Sequence, residues 1–503
     1  MTADNAKTGF FGHPRGLSTL FFTEMWERFS YYGMRAILIL FMTAPVASGG
    51  LGFDVAHAGT VYGLYTALVY LACLPGGWLA DRLIGQRRAT FAGGVIIMCG
   101  HVALAVPTLA SFYLGLALLV LGTGLLKPNI STLVGQLYGR DDARRDAGYS
   151  LYYMGINTGA FLAPLVCGWL GQGAGFRELL GTMGIDPAMS WHFGFGAAAI
   201  GMALGLAHYL LGARHLGDVG APPAAPAADG LDARRQLARG VLTLLGCGAL
   251  LAVLAALDIV EVDAAWIGNA FGVVLFLVTA AFFGWVFTYA DWSRDERRRL
   301  VLVLVLFLGA TVFWSLYEQG GSTLNLFAER NTDTRILGFD FPASWMQSLN
   351  PVFIICGLAP AFAWLWMRLG SREPSSPAKF ALGLLFMGLG YAVMVGAAIN
   401  ARNGVLVSPM WLTTMYFLHT IGEMCLSPVG LSAMSRLAPA RIAGLTMGIW
   451  FLASSIGSYA GGRVAGLYDS LDLVDIFTVL TVIALAAAGV MSFLIRPLRR
   501  FLG

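Results

Sequence analysis

Seven ionisable side chains lie inside stretches that are otherwise apolar, and these residues are the best placed to do chemistry. They are four acids and three bases: Glu24, Glu27, Glu318, Glu423, Arg28, Arg35 and Lys127. Four of them lie in a predicted spanning helix at residues 17–46. With 3.6 residues per turn, one face of this helix carries Glu24, Arg28, Tyr32 and Arg35, and Glu27 and Tyr31 lie at its edges. Each charge in such a helix costs roughly 2.5–3.5 kcal/mol on insertion scales. The face is therefore tolerable only if it lines a wet cavity or meets opposite charges.

The near-balance of acids and bases predicts mutual pairing inside a cavity. An acid released from Lys127 or Arg28 in low-dielectric surroundings would take up a proton readily. Proton uptake could thus be coupled to the breaking of an ion pair. Lys127 lies well inside an apolar segment beside Pro128, whereas a snorkelling lysine would lie nearer a helix end, so we favour a cavity lysine. Asn157 either hydrogen-bonds a neighbouring helix or contacts a ligand, and its flanking tyrosines and glycines favour the ligand.

Other chemistries lack their motifs. The chain has no Gly-Lys-Ser/Thr phosphate loop, which disfavours ATP-driven transport, and no His-Glu-x-x-His metal pair. The cysteines show no metal-ligand spacing and are interpreted as small core residues: Cys73, Cys99, Cys167, Cys247, Cys356 and Cys425. A membrane-embedded hydrolase could use paired acids, but no nucleophile–base set is evident. A secondary transporter, without enzymatic activity or cofactor, is the leading class.

The composition is that of a membrane protein. The 503 residues are 57% hydrophobic and 12% charged, whereas soluble proteins average about 25% charged residues. The mean hydropathy is +0.71. This length allows about a dozen spanning helices of ~20–30 residues each, loops included. The first apolar run is interrupted by charges and lacks a small-residue cleavage site, so we expect no removable signal peptide.

The basic residues predict the orientation. Of the 32 Arg and Lys residues, 24 lie in one alternating set of predicted loops and tails, and five lie in the opposite set. By the positive-inside rule the first set is cytoplasmic, which places both termini inside. The chain has no basic face for nucleic acid.

The predicted spans form two halves. Residues 1–213 hold six spans, residues 214–239 are interpreted as a charged cytoplasmic linker rich in Ala, Pro and Gly, and residues 293–503 hold six more. Between them, residues 240–292 form an extra apolar hairpin without interior charge, which we expect to be peripheral. Gly122 and Pro128 in the first half share their spacing with Gly422 and Pro428 in the second, as parallel repeats would.

Two motifs resemble known families. The stretch from Gly77 to Arg88, G-W-L-A-D-R-L-I-G-Q-R-R, resembles the short cytoplasmic-loop signature of the major facilitator superfamily. The stretch E-M-W-E-R-F-S-Y-Y-G beginning at Glu24 resembles the E-x-x-E-R-F-x-Y-Y-G motif of the proton-dependent oligopeptide transporter family. That resemblance extends to the sequences around Lys127, Asn157 and Glu318 and further along the chain. It implies an all-α membrane protein with the major facilitator fold: two six-helix bundles and the extra hairpin, with 14 transmembrane helices.

The resemblance also implies a function and roles for named residues. It implies proton-driven import of di- and tripeptides by alternating access across a bacterial inner membrane. The peptide carboxylate would be held by Arg28, Arg35, Tyr32 and Lys127. The ammonium end would be held by Asn157, Asn350 and Glu423. Side-chain pockets would be lined by Tyr31, Tyr70, Trp314, Trp450 and Ser454. The proton-sensitive acids would be Glu24, Glu27 and Glu318, pairing by turns with Lys127 and Arg28.

Two alternatives stay open within the transporter class. Some plant relatives move nitrate or other anions, and a drug exporter is the next rival, although a wider cavity with fewer paired charges would suit it better. Animal relatives carry a proton-linked histidine where this chain has Gly63, so the carboxylates would have to take that role. A monomer is the simplest expectation.

Overall fold

A computed structural model describes residues 8–139, 142–222, 227–257, 259–261, 263–288, 292–336, 338–437 and 443–499. The helices of the first half are α1 (Arg15–Thr43), α2 (Val55–Leu71), α3 (Cys73–Leu79), α4 (Gln86–Leu104), α5 (Leu109–Gln136), α6 (Arg145–Gln172), α7 (Ala174–Thr182) and α8 (Ser190–Gly212). The hairpin is α9 (Ala227–Ala256) and α10 (Ala264–Thr288). The second half contains α11 (Arg294–Tyr317), α12 (Thr323–Arg330), α13 (Leu349–Phe353), α14 (Ala359–Leu369), α15 (Ser376–Asn400), α16 (Met410–Leu437), α17 (Ala443–Ala465) and α18 (Leu473–Arg499).

Strands are few in the described chain. Strands β1 (Thr8–Phe10) and β2 (His13–Pro14) form an antiparallel pair before α1. Strands β3 (Arg335–Ile336) and β4 (Phe339–Asp340) form a second antiparallel pair in the loop after α12. Both pairs lie outside the spanning helices.

The described chain has fewer candidate spans than the 14 transmembrane helices that the sequence predicts. Ten helical segments are long and apolar enough to cross a membrane. Four further long helices, α1, α4, α16 and α17, pack in the same bundle but carry more polar residues. Together they account for two six-helix bundles and the hairpin.

Both bundles are closely packed. In the first half α1 packs against α6 and α8, and α4 packs against α5. In the second half α15 packs against α16 and α18, and α11 packs against α17. The halves meet where α2 crosses α17 through glycines, because a Cβ atom on Gly63 would lie only 3.0 Å from the Cα atom of Gly462. No side chain larger than hydrogen fits at this crossing without a shift of the backbone.

Several spanning helices are broken near the middle of the molecule. Helix α11 ends at Tyr317 and a short 3-10 turn, Glu318–Gly321, separates it from α12. The span that begins with α13 contains Pro351 and passes through a π turn, Ile354–Leu358, before α14. Such irregular turns free backbone groups and aim side chains, and they are frequent at functional sites.

The extra hairpin lies at the periphery, as its lack of interior charge predicts. Helix α10 packs along α2 and α17, where Gly268 faces Thr60 and Phe271 meets the ring of Tyr459 edge-on. Helix α9 begins at Ala227, inside the stretch 214–239 that the sequence predicts to be a linker. The candidate span Asp232–Ala256 also begins inside that stretch and includes some of its charged residues.

The cysteines correct one prediction. Cys73, Cys167 and Cys425 are buried, but Cys99, Cys247 and Cys356 are exposed on the outside of the bundle. The prediction of six core cysteines is therefore wrong for half of them, because an apolar residue of a membrane protein can face lipid instead of the interior.

Candidate functional site

A cavity of about 270 Å³ lies between the two halves. Its walls come from α1, α2, α5 and α6 on one side and from α11, α13, α16 and α17 on the other. Charged residues line it on both sides: Glu24, Arg28, Arg35, Lys127, Glu318 and Glu423. The cavity is therefore the wet space that the charged helix face requires.

The acids and the base at the start of the charged face of α1 form one cluster. The Nε atom of Arg28 lies 3.1 Å from Oε1 of Glu24 and 2.5 Å from Oε2 of Glu27. All three side chains are almost fully buried. Neither contact has the angles of a hydrogen bond, so the attraction is mainly coulombic. Two carboxylates share one guanidinium, which leaves the cluster with an excess negative charge.

Lys127 balances this end of the cavity from α5. Its Nζ atom lies 3.9 Å from the ring centroid of Tyr70, a cation–π contact. Among the described residues, none brings a carboxylate within 4.0 Å of this ammonium group. Lys127 therefore presents a positive charge to the cavity without a direct anionic partner in the described chain.

The pair of Arg35 and Glu318 joins the two halves. The Nη2 atom of Arg35 donates to Oε2 of Glu318 at 2.6 Å, and its Nε atom donates to the hydroxyl of Tyr62 at 2.7 Å. Arg35 comes from α1, whereas Glu318 begins the turn after α11, 283 residues away. Among the described residues this is the ion pair that crosses between the bundles.

Neutral hydrogen bonds also cross between the halves, and most of them reach the C-terminal halves of α1 and α6. Side chains of the second half donate to backbone carbonyls of the first: Asn325 and Gln347 to Ala36, Trp345 to Leu165, Ser348 to Phe161 and Ser455 to Ala67. The acceptor Ala36 follows the charged face of α1 towards its C-terminal end. Most of these bonds therefore join the halves near the C-terminal end of α1, away from Arg15, where the helix begins.

Among the described residues, Glu423 of the second half has no cation beside it. Oε2 of Glu423 accepts from the hydroxyl of Tyr317 at 2.9 Å and from Nδ2 of Asn350 at 2.8 Å. Asn350 also donates to the hydroxyl of Thr420 at 3.1 Å. No described residue places a cationic atom within 4.0 Å of this carboxylate. The two walls therefore carry opposite charge, with the unpaired base in the first half and the unpaired acid in the second.

Comparison with known proteins fits this arrangement. A family model described as the POT family matches residues 87–483. The chain is 41% identical over 497 residues to the uncharacterized transporter YclF of Bacillus subtilis, which covers 98% of this chain and 96% of that protein. It is 40% identical over 521 residues to the peptide transporter YePEPT of Yersinia enterocolitica, which covers 100% of this chain and 98% of that protein. The chain belongs to the POT family.

A solved structure supports the same conclusion for the fold. The crystal structure of a peptide transporter POT in complex with sulfate aligns with a TM-score of 0.89 at 41% identity, covering 99% of this chain and 98% of that one. The family resemblance and the all-α major facilitator fold that it implies are confirmed. As a POT-family protein, the chain is a membrane transporter and not an enzyme.

Most of the residues that the sequence singles out line the cavity of this POT-family chain. Those that line it are Glu24, Arg28, Tyr32, Arg35, Tyr70, Lys127, Asn157, Trp314, Glu318, Asn350, Glu423, Trp450 and Ser454. Trp314 and Trp450 meet at nearly right angles, with ring centroids 6.2 Å apart. The roles assigned to these residues stay predictions, because lining a cavity does not show what a side chain binds.

Two of the named residues do not line the cavity. Glu27 is fully buried behind Arg28, and the buried hydroxyl of Tyr31 has no hydrogen-bond partner among the described residues. Both lie at the edges of the charged face, and the helix turns them towards neighbouring helices. The sequence also pairs Glu318 with Lys127 or Arg28, whereas the structure pairs it with Arg35.

Several cavity residues were missed. Tyr416 and His419 precede Glu423 by seven and four positions, and Tyr153 precedes Asn157 by four, so helical spacing could have found all three. Tyr317 lies next to Glu318 in the aromatic stretch that ends α11. Its contact with Glu423 joins residues 106 positions apart, and no local pattern predicts it.

Proposed function

We propose that this protein is a proton-coupled symporter that imports di- and tripeptides by alternating access. The observation that carries the proposal is the division of charge across the cavity, with Lys127 on the wall of the first half and Glu423 on the wall of the second. A zwitterionic peptide has a carboxylate and an ammonium group several ångströms apart, and it would bridge the two walls. The Yersinia relative is named a peptide transporter, which supports the same substrate class.

The residues of the cavity suit the two ends of a peptide. Arg28, Arg35 and Lys127, with Tyr32, would hold the carboxylate, and Asn157, Asn350 and Glu423 would hold the ammonium end. Tyr70, Trp314, Trp450 and Ser454 would contact the side chains. The cavity volume of about 270 Å³ is near the lower end of the ~300–1,000 Å³ range of small-molecule pockets. Such a space favours a short peptide over a large apolar drug.

The pair of Arg35 and Glu318 would connect proton movement to opening. Buried pairs are strongly destabilised when one partner loses its charge, because the remaining charge stays desolvated. When Glu318 carries a proton, Arg35 keeps only its bond to Tyr62 and the halves lose the ion pair that joins them. When Glu318 releases the proton, the pair forms again. The cluster of Glu24, Glu27 and Arg28 would respond to the peptide carboxylate, which competes for the guanidinium.

The orientation follows from the positive-inside rule, with both termini in the cytoplasm of a bacterium and the helices in its inner membrane. In that orientation most of the hydrogen bonds that join the halves would lie at the outer end and would keep the outer side closed. Outward opening would break those bonds and the pair of Arg35 and Glu318 together. The peptide would enter in that state and leave on the cytoplasmic side.

The proton gradient alone would supply the energy, without a cofactor. One charge moving through 100 mV provides about 2.3 kcal/mol, and one pH unit adds about 1.4 kcal/mol. The sum would support a peptide gradient of several hundredfold for one proton.

The test is uptake of a labelled dipeptide into proteoliposomes under an imposed proton gradient. We expect accumulation above equilibrium with the gradient and only equilibration without it. Accumulation that ignores the gradient would refute the coupling. Nitrate or a cationic drug offered in the same assay would separate the rival substrates, and transport of either in preference to dipeptide would refute the peptide assignment.

A further inference from the structure

The hydroxyl of Tyr317 lies between two acceptors on different helices. It is 2.9 Å from Oε2 of Glu423 on α16 and 3.3 Å from Oδ1 of Asn350 on α13. A tyrosine hydroxyl carries one proton, so it donates to one acceptor at a time. The shorter contact and the negative charge favour Glu423, because hydrogen bonds to an ionised acceptor are stronger than neutral ones.

Both donors that reach Glu423 use the same oxygen atom. Tyr317 and Asn350 donate to Oε2, and no described residue donates to Oε1. Glu423 lines the cavity, and Oε1 is not among its buried unpaired polar atoms. The carboxylate is therefore held by one oxygen and presents the other to the cavity.

The ring of Tyr317 is itself fixed. It stacks on Phe313 with ring centroids 5.8 Å apart, and it meets Trp314 edge-on at 5.4 Å. These contacts do not involve the hydroxyl. The position of the hydroxyl is thus set by the aromatic packing at the end of α11, before any ligand binds.

We propose that Tyr317 is a positioning residue that holds Oε2 of Glu423 and so turns Oε1 towards the cavity, where the ammonium end of the substrate would meet it. The proposal rests on the proposed function and deepens it by naming the residue that positions this acid for the ammonium group. An ammonium group would meet Oε1 without displacing the existing bonds. A substrate whose amine is blocked would leave the carboxylate unpaired and would gain nothing from its orientation.

The experiment compares the wild-type protein with Tyr317→Phe in proteoliposomes. The Phe variant keeps the ring contacts and removes only the hydroxyl. KM and maximal turnover are measured for proton-driven uptake of dialanine, and N-acetyl-dialanine is titrated as an inhibitor of that uptake. Tyr113→Phe is the matched control, because Tyr113 lies exposed on α5 and does not line the cavity.

We expect KM for dialanine to rise about tenfold in Tyr317→Phe, which is the effect of losing one hydrogen bond to a charged group. Maximal turnover should stay within about twofold, and inhibition by N-acetyl-dialanine should not change. Tyr113→Phe should match the wild type in all three quantities. An unchanged KM, an equal loss for both compounds, or a fall in turnover at constant KM would overturn the proposal.

Two further outcomes are also decisive. Loss of folded protein in Tyr317→Phe, seen as a lower unfolding temperature in detergent, would assign the hydroxyl a structural role and overturn the proposal. Failure of the wild type to accumulate dialanine would instead refute the proposed function, so the two failures can be told apart.

Discussion

Replacing Glu318 with Gln tests the link between the proton and the outer closure. The side chains of Arg35 and Glu318 are only 7% and 2% exposed, and their charged atoms are 2.6 Å apart. Removing the charge of one partner in a buried pair costs roughly 3–5 kcal/mol, because the other charge remains desolvated. Glutamine keeps the shape of the side chain and the bond from Arg35 to Tyr62 is untouched, so the lower limit applies. About 3 kcal/mol corresponds to a shift of roughly a hundredfold away from the closed outer end.

The shift can be measured as a distance. Spin labels at Val46 and Phe339, both exposed and at the proposed outer end in opposite halves, would report the separation of the halves in a background without cysteines. We expect Glu318→Gln to populate the longer distance and the wild type to populate the shorter one. Proton-driven uptake should be lost, whereas exchange of labelled for unlabelled dipeptide should continue.

The matched control is Asp469→Asn. Asp469 pairs with Arg330 at 2.9 Å, but both residues belong to the second half and are largely solvent-accessible. Such surface pairs contribute about 0–1 kcal/mol, so this variant should keep both the distance distribution and the uptake of the wild type. If Glu318→Gln keeps the short distance and full proton-driven uptake, the assignment of this pair to coupling and closure is refuted.

Three other variants test separate parts of the site. Lys127→Ala should abolish proton-driven uptake, because it removes the base of the first half that has no carboxylate within 4.0 Å among the described residues. Unchanged uptake would count against a role of Lys127 in transport. Glu423→Gln should weaken dipeptide binding by at least tenfold in an equilibrium binding assay, because a neutral amide cannot pair with an ammonium group; normal binding would reject the ammonium site. Gly462→Val should reduce uptake more than tenfold, because its Cβ atom would lie 2.5 Å from the carbonyl oxygen of Gly59 and keep the outer end from closing. Gly489→Val is its control, as nothing lies within 4 Å of that position on α18, and equal uptake by the two variants would contradict the role of the crossing.

The sequence by itself determined the class of the protein and most of the residues that face the cavity. Charges are so costly in lipid that Glu24, Arg28 and Arg35 could only point to an interior space, and their helical spacing defined the face. The motif beginning at Glu24 identified the family because many positions agree at fixed spacing. The loop charges and the apolar runs predicted the number of spans, because both signals depend only on residues that are close together in the sequence.

Only the tertiary structure decided which partners meet. The periodicity of α1 orients Arg35 towards the cavity, but it does not tell which of the two acids on other helices, Glu318 or Glu423, will reach it, and the partner proved to be Glu318. Tyr317 was not predicted for the same reason. Its hydroxyl reaches Glu423 only because α11 ends at Tyr317 and α16 places Glu423 opposite. Spacing placed Glu27 and Tyr31 at the edges of the charged face and the family resemblance implied roles for them, yet the packing of neighbouring helices covers them. Pairing across the cavity depends on how two bundles are placed relative to each other, and that placement is set by contacts such as the glycine crossing of α2 and α17, between residues far apart in the chain.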